Sequence, residues 1–591
     1  MSIAEPFYTT FLQRTGATFK GYNGRSLRDD ALAGLTVAIV AIPQSMAYAI
    51  IAEVPPVYGL YTLIFQSLVG ALFNSHPLLS LGPVNSQSLV VASIVTRLQS
   101  PGDGAAFLTL VVTLTLVKGV LQLAMAGLQL GQLSRYVSRS VIVGFMAGAG
   151  VLIAAKQVGP FLGFATPRVE GDWPGVVGIC QQLWRGAPGS AAGGGVNSLA
   201  IILGVVSLVI VAGGRMITRK SPGPLIAVVL CGAIVALAGW TPDQVNLLGA
   251  LPVWPDAWPR LTLDPTTLER LIPAGLALGL LGAVETHAIA KSLADRTGHQ
   301  VNANQDLFGQ GLANTVTAFF GCIPGSTSLS RSALNEAAGG KTLLSNLFNA
   351  GFVTLTLVLF AGAARHVPMA AIAGILFVVA WGLVDWGYMR RVVRTSGGDS
   401  AVLVATFVAT LTVPLEYAVL VGVALNIALY MRRATQLHMQ EMVPTSAGPF
   451  LEQPLTAKSG ERAVTFLQIE GSLFFAQADE FEERLSSLLR GPVRVVIFRL
   501  KRVHSIDATI LTVLDGFARS MSHEDRHIVL CGIRPDLMKD LKEFGLVRLL
   551  GNENIFETDF GVFASAEAAL ERAKQLLGES IDVDAIDTES E

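Results

Sequence analysis

Charge is scarce in this chain. Of its 591 residues only 15% are Asp, Glu, Lys or Arg, while 51% are hydrophobic and the mean hydropathy is +0.53. Soluble proteins average about 25% charged residues. The deficit excludes an ordinary soluble domain and leaves a multispanning membrane protein. Neither sign of charge prevails: a net charge of −2 offers no basic surface for nucleic acid. Cysteine is rare too. Cys180, Cys231, Cys322 and Cys531 are scattered, with neither metal-ligand spacing nor the pattern of a disulfide framework. The first thirty residues hold no apolar core of the signal-peptide kind, and 1–30 reads as a cytosolic arm carrying Arg14, Lys20, Arg25 and Arg28. A Walker A loop and any nucleophile–base pair are missing as well. Neither ATP hydrolysis nor another enzyme activity is indicated, and no cofactor beyond a coupling ion is expected.

What the chain does have is long apolar runs, and one of them is interrupted by GCIPGSTSLSRSALNEAAGGKT, from Gly321 to Thr342. Pro324 and Gly325 break the run, and Ser326, Thr327, Ser328, Ser330 and Ser332 crowd the residues that follow. SLSRSALNEAA is then compatible with a helix. At membrane depth an irregular backbone persists only where it lines protein or a water-filled cavity. The N-terminus of a half-helix presents free N–H groups and the positive end of a dipole. Arg331 adds a full positive charge in the first turn. The stretch reads as an anion site near the bilayer midplane.

A span needs roughly 20 apolar residues. About fourteen are expected: 31–52, 56–74, 82–97, 105–127, 136–157, 197–215, 222–240, 270–293, 303–320, 326–338, 342–363, 367–385, 399–413 and 416–431. They make a transport domain over 31–433. The third and tenth are short and begin at a Gly/Pro/Ser break. The positive-inside rule puts Arg135, Arg139, Arg215, Arg219, Lys220, Lys291, Arg296, Lys341, Arg390, Arg391, Arg394, Arg432 and Arg433 in cytosolic loops. Arg97, Arg168, Arg185, Arg260, Arg270 and Arg365 fall opposite. That bias, about two to one, predicts an inner-membrane protein with both termini cytoplasmic.

The two halves echo each other. LVGALFNSHPLLSLGPVNSQSLV and LANTVTAFFGCIPGSTSLSRSAL each have a glutamine just upstream, Gln66 and Gln310, with a break about fifteen residues on. Gln44 in the first span corresponds roughly to Glu285 in the eighth. An odd number of spans, seven, separates the halves, so the repeats are inverted. Inverted repeats with paired broken helices mark a secondary transporter whose site lies where the breaks meet.

Three segments carry a family resemblance: GLTVAIVAIPQSMAYAIIAEVPPVYGLY from Gly34, LGPVNSQSL from Leu81, and VETHAIAKSLADRTGHQVNANQDLFGQGLANTVTAFFGCIPGSTSLSRSALNEAAGGKT from Val284. They resemble the sulfate permease (SulP) family of anion transporters, over about residues 20–580. The resemblance implies a mainly α membrane fold of seven plus seven inverted spans, divided into core and gate domains. It implies an anion held between the N-terminal ends of the third and tenth helices. On the matching positions the contacts fall on Pro83, Val84, Asn85 and Ser86, and on Ser328, Leu329, Ser330 and Arg331. Many relatives carry small or apolar residues after the Gly-Pro of the third helix; Asn85, Ser86, Gln87 and Ser88 are more polar. Family frequency makes sulfate the first expectation, with bicarbonate plus sodium or a dicarboxylate such as succinate as alternatives. A nucleobase permease of similar architecture ranks lower, because Arg331 and the C-terminal domain fit an anion better than a neutral base; an anion channel or sensor ranks lower too, and saturable, trans-stimulated flux would set it aside. A homodimer in membrane lipid is also implied.

Other polar residues sit within the spans. Gln44 follows Pro43, and its amide can satisfy backbone groups freed by the proline or reach a ligand. Glu285 is an ionisable carboxyl in a long apolar helix, and such groups are usually functional. Ionised, it opposes anion binding; protonated, it is neutral and can donate a hydrogen bond. It is the candidate ion-coupling residue, for a proton first and sodium second. His287 faces elsewhere on that helix and reads as an ordinary buried histidine. Lys118 is expected to snorkel or pair, with Glu285 one possible partner. Asn302, Asn304, Gln305 and Asp306 are expected to cap the ninth helix.

After Arg433 the composition changes. Residues 434–460 read as a polar linker with Pro444, Gly448 and Pro454, 461–580 as a soluble α/β domain, and 581–591 as an acidic tail. Strands are expected at AVTFLQI, at VRVVIFRL from Val493 and at HIVLCG from His527. Helices are expected at about 477–490, 509–521, 534–544 and 564–577. VHSIDATILTVL from Val503 resembles the STAS domain that ends most family members. Asp507 can cap a helix whose first turn holds Thr509, where a phosphate would be well placed. The pair is a regulatory candidate, with a structural cap as the plainer alternative.

Overall fold

The computed structural model describes residues 22–99, 104–132, 138–163, 196–217, 222–254, 258–445, 448–454, 462–558, 561 and 563–578. Residues 1–21 of the expected arm, the tail 581–591, Cys180, Arg135, Arg168, Arg185, Arg219 and Lys220 lie outside the described residues.

The chain begins with α1 (Gly24–Ile51) and α2 (Pro56–Phe73), then a two-residue strand, β1 (Leu81–Gly82), and a short helix, α3 (Asn85–Leu98). Helices α4 (Gly104–Gly127), α5 (Arg139–Leu162), α6 (Ser198–Ile217) and α7 (Gly223–Ala238) follow. The pattern then recurs: α8 (Pro265–Thr297), α9 (Ala303–Ala318), a two-residue strand β2 (Ser326–Thr327) and the nine-residue α10 (Leu329–Ala337). After these come α11 (Leu344–Phe360), α12 (Met369–Leu383), α13 (Trp386–Thr395), α14 (Gly397–Thr412) and α15 (Leu415–Ala434). Every segment expected to span falls on a helix. Among the described residues, eight helical runs are long and apolar enough to cross a membrane.

Helix α13 is an addition. Its arginines, Arg390, Arg391 and Arg394, read as a loop because their charge hides an amphipathic turn pattern. Its buried residue is Val392, and Asp385 caps it by accepting from the Tyr388 amide at 2.9 Å. The expected caps of α9 also differ. Asn302 alone caps it. Asn304 accepts from the Gly131 amide at 2.7 Å, Gln305 donates to the Phe73 carbonyl and Asp306 accepts from the Ser75 amide at 2.6 Å. These three tie α9 to the chain after α2 and α4.

Packing sorts the helices into two bundles. α1, α2, α4, α8, α9 and α11 pack on one another, while α5, α6, α7, α12 and α14 form the second group; α1 meets α7 and α3 meets α5 across the seam. Loops assigned to the same side touch. Arg139 pairs with Asp385 at 3.0 Å and stacks on Tyr388, and Arg296 pairs with Glu336 at 3.0 Å. Lys341 pairs with Asp29 at 2.6 Å, and buried Asp30 accepts from the Lys341 and Thr342 amides at 2.7 and 3.1 Å.

The chain divides into two compact units between Ala428 and Leu429. The second is an α/β unit of β3 (His438–Thr445), β4 (Gly448–Pro454), β5 (Val464–Leu473), α16 (Ala478–Leu489), β6 (Val495–Ile506), α17 (Ala508–His523), β7 (His527–Ile533), α18 (Pro535–Phe544), α19 (Leu546–Leu550), β8 (Ile555–Glu557) and α20 (Ala564–Leu577). Strand order is β4-β3-β5-β6-β7-β8, parallel from β5 to β8 and antiparallel at β3 and β4. Parallel strands covered on both faces are apolar without alternation; Val495 to Phe498 is such a run, buried throughout. One face packs Phe481, Leu485, Leu514 and Leu541, and the other packs Ala566, Ala569 and Ala573 of α20. Cys531 lies in that second layer, and burial pushes its thiol up to about 12.

The expected linker 434–460 is corrected here, because β3 and β4 lie inside it. Leu437 and Met439 are buried while Gln436, His438 and Gln440 are exposed, a period-two pattern too short and too polar to stand out. A C-terminal fragment must therefore begin near residue 435. Residues 435–578 are expected to unfold cooperatively on heating. Residues 461–578 lose the burial of Leu437, Met439 and Met442, about 1.5–3 kcal/mol each, and expose the β5 edge. Circular dichroism melts with light scattering compare the two; equal melting temperatures count against an integral role for β3 and β4.

Candidate functional site

The two breaks form one structure. β1 and β2 pair antiparallel, Leu81 opposite Thr327 and Gly82 opposite Ser326, and the Ser328 amide adds a bond of 3.0 Å to the Ser80 carbonyl. α3 and α10 leave this ribbon in opposite directions, so their N-termini lie on its two sides. In lipid an unsatisfied backbone group costs several kcal/mol, and the ribbon satisfies part of the irregular backbone. Side-chain amides satisfy more. Asn314 accepts from the Gly325 amide at 3.0 Å and donates to the Gly325 carbonyl at 3.2 Å. Gln66 donates to Asn314 and to the Ile323 carbonyl, both at 3.2 Å. Gln310 donates to Thr286 and Ser326, both at 2.9 Å, and accepts from Gln122. Thr62 accepts from the Ile323 amide at 2.9 Å, and Thr115 donates to the Cys322 carbonyl at 2.9 Å.

Arg331 sits in the first turn of α10 and is fully buried. Its Nη1 donates to the Pro83 carbonyl, before α3, at 3.0 Å, while Nε and Nη2 have no partner among the described residues. Gly82, with φ 153°, lets the guanidinium through: a Cβ there would sit 2.9 Å from Nη2. Ser328 is the N-cap of α10 and its hydroxyl lies 3.2 Å from that of Ser330. Leu329 and Ser330 have exposed side chains. Across the ribbon, Val84 is the N-cap of α3 and no side chain caps that helix. Pro83, Val84, Asn85 and Ser86 are buried, and the Asn85 side chain accepts from the Ser86 amide at 2.9 Å. The expected contacts on the two half-helices thus gather around one ribbon.

Gln44 is buried just after Pro43 in α1, and its Oε1 lacks a partner. Glu285 lies in α8 with Ser86, Gln87 and Ser326 as polar neighbours and Lys118 within electrostatic reach; its Oε2 is buried and unpartnered. Lys118 does not snorkel. It is fully buried and donates to the Gly325 carbonyl at 2.6 Å and to Gln87 Oε1 at 2.9 Å. In the second unit Asp507 caps α17, accepting from the Ile510 amide at 3.0 Å and from the Phe475 amide at 2.5 Å. Thr509 is exposed in the first turn.

The amide lattice and the place of Lys118 are not evident from the sequence read span by span. A signal existed. Gln310, Asn314 and Thr317 share one face of α9, and Thr115, Lys118 and Gln122 one face of α4, as helical polar stripes. The lattice makes a direct prediction. Asn314→Leu keeps the volume but orphans the Gly325 amide and leaves the Gly325 carbonyl with Lys118 as its donor, a loss of about 1–3 kcal/mol. It should clearly lower the melting temperature of the purified protein in detergent, whereas Gly351→Ala, where a Cβ meets open space, should not. Equal melting of both variants contradicts the assigned role.

The chain matches the Sulfate permease family over residues 27–406 and the STAS domain over residues 456–559. YvdB of Bacillus subtilis (strain 168), named for sulfate transport, is 30% identical over 556 residues, covering 92% of this chain and 98% of its own. The bicarbonate transporter BicA of Picosynechococcus sp. is 27% identical over 539 residues, 89% of this chain and 92% of its own. In fold the chain is similar to murine Slc26a9, an anion transporter solved in the inward-facing state, with a TM-score of 0.85 at 20% identity over 97% of this chain and 96% of that one. With a family match over most of its helical unit, the chain belongs to the sulfate permease family: it is a multi-pass membrane anion transporter with a C-terminal STAS domain, and not an enzyme.

Proposed function

We propose that this chain transports sulfate by proton symport, with the anion held between the N-termini of α3 and α10. One observation carries the reading: a fully buried guanidinium with two donors unspent. Burying a charge without full pairing is costly, and a bidentate oxyanion is the partner that a guanidinium fork fits best. Ser86, Asn85, Ser328 and Ser330 supply hydroxyl and amide groups, Pro83, Val84 and Leu329 supply backbone, and Gln44 reaches in from α1. Glu285 is the coupling group. With the anion absent, Arg331 and the helix dipoles favour its carboxylate form; when a dianion arrives it competes for that positive charge, and protonating the carboxyl becomes favourable. Proton and anion then support each other's binding, which symport requires. Likeness to BicA favours a second substrate, bicarbonate; coupling to sodium would then make Glu285 a cation ligand.

The same reading places both termini in the cytoplasm of an inner-membrane homodimer. The transport domain is 31–433, and the STAS domain acts on rate or assembly through the exposed Asp507–Thr509 turn.

Proteoliposomes test this. Uptake of labelled sulfate should exceed that of bicarbonate and succinate, and rise as external pH falls from 8 to 5 without sodium. Arg331→Ala should weaken apparent affinity about ten- to a hundredfold, with Arg331→Lys a partial rescue. Glu285→Gln should bind sulfate but lose pH-driven accumulation. Undiminished pH-driven accumulation by the Gln variant sinks the coupling role, and sodium-dependent bicarbonate uptake selects the second reading.

A further inference from the structure

Lys118 is a buried cation for which the anion site described above has no use. Its ammonium joins the two halves of that site from behind. The Gly325 carbonyl it binds lies next to β2, and Gln87 lies in the first turn of α3. Every other element packed around it is accounted for: α8 contributes Glu285, and α9 contributes the neutral Gln310 and Asn314. Arg331, on the far side, has Tyr48 of α1 as its titratable neighbour. The groups that bond to the two breaks or neighbour them are Arg331, Lys118 and Glu285; Arg215 of α6, the second cation near Tyr48, and His287 of α8 are unchanged by substitution at Lys118 and drop out of the comparison. A lysine here is an expensive choice, because Gln or Ser could brace the same carbonyl without a charge.

The count has a consequence for valence. With Glu285 ionised the three groups sum to +1, and with Glu285 protonated they sum to +2. The protonated site therefore balances a dianion, while the ionised site balances a monovalent anion. With Lys118 neutralised, the same two states would sum to 0 and +1, and no state would match a dianion. We propose that Lys118 is a hidden second cation of the anion site and sets its preference for divalent over monovalent oxyanions. It need not touch the ligand; its charge acts across the low-dielectric interior and through the two half-helices that it joins. The inference rests on the reading of the site as one for an anion coupled to a proton, and names the charge class of its substrate.

Sulfate and perchlorate are tetrahedral oxyanions of similar size that differ in charge, so their ratio isolates valence. Isothermal titration of the full-length protein in detergent at pH 6, at fixed ionic strength, gives both dissociation constants. Wild type should prefer sulfate. Lys118→Gln, which keeps a donor for Gly325 but removes the charge, should weaken sulfate about tenfold or more and leave perchlorate within about threefold. Lys118→Arg, which keeps the charge, should retain the preference and remains informative should the Gln variant fail to fold. Equal weakening of both anions, or an unchanged ratio in Lys118→Gln, overturns the proposal and leaves Lys118 a structural brace. Loss of sulfate preference in Lys118→Arg overturns it too. A wild type that binds perchlorate as tightly as sulfate refutes instead the reading of the substrate as a dianion, and the inference falls with it.

Discussion

The structure depends on one constraint: at membrane depth each backbone N–H and C=O needs a partner. Two breaks in apolar helices leave many such groups open. β1 and β2 answer by pairing with each other, so that each break completes the other. Gln66, Gln310, Asn314, Gln122 and Thr62 satisfy further groups in and around the second break. The bundle of α1, α2, α4, α8, α9 and α11 is in this sense a polar mould inside an apolar shell. Within that mould, the unspent donors of Arg331 stand out.

Rigidity of this kind suits a transporter. A site whose geometry is held by amides from several helices is suited to moving as a body. The α1–α7 and α3–α5 contacts lie on the seam between the two bundles. Glu53 and Lys156 pair at 2.8 Å between the end of α1 and α5, and Glu53 is the residue with φ 61° at which α1 ends. Charge then enters as a second layer of control. Arg331 and Lys118 each donate to a backbone carbonyl beside a break, Pro83 and Gly325, so both cations are tied to the two breaks.

Much of this could be read from sequence, for physical reasons. Apolar runs of span length announce helices, and a Gly/Pro/Ser break followed by hydroxyls announces a half-helix start, so α3, α10 and the position of Arg331 were accessible. The strand pairing between breaks some 240 residues apart was not, because two residues carry no periodicity. Lys118 was visible but ambiguous: a lone lysine in a span can snorkel as readily as pair, and only three-dimensional placement shows the Gly325 carbonyl in front of it. The linker failed differently. β3 and β4 owe their strand character to pairing with β5, a tertiary contact that local composition hides. The Asn302 cap succeeded because capping is local, whereas Asn304, Gln305 and Asp306 bond far along the chain.

In the proposed site the anion lies between the two half-helix N-termini with Arg331 as its ligand. Selenate, a tetrahedral divalent oxyanion with an anomalous scatterer, locates it directly. Crystals of the full-length protein grown in selenate should show an anomalous selenium peak beside the β1–β2 ribbon, within about 4 Å of the Arg331 guanidinium, with Nη2 now donating to the anion. A peak elsewhere, with Arg331 still bonded only to Pro83, would contradict the account.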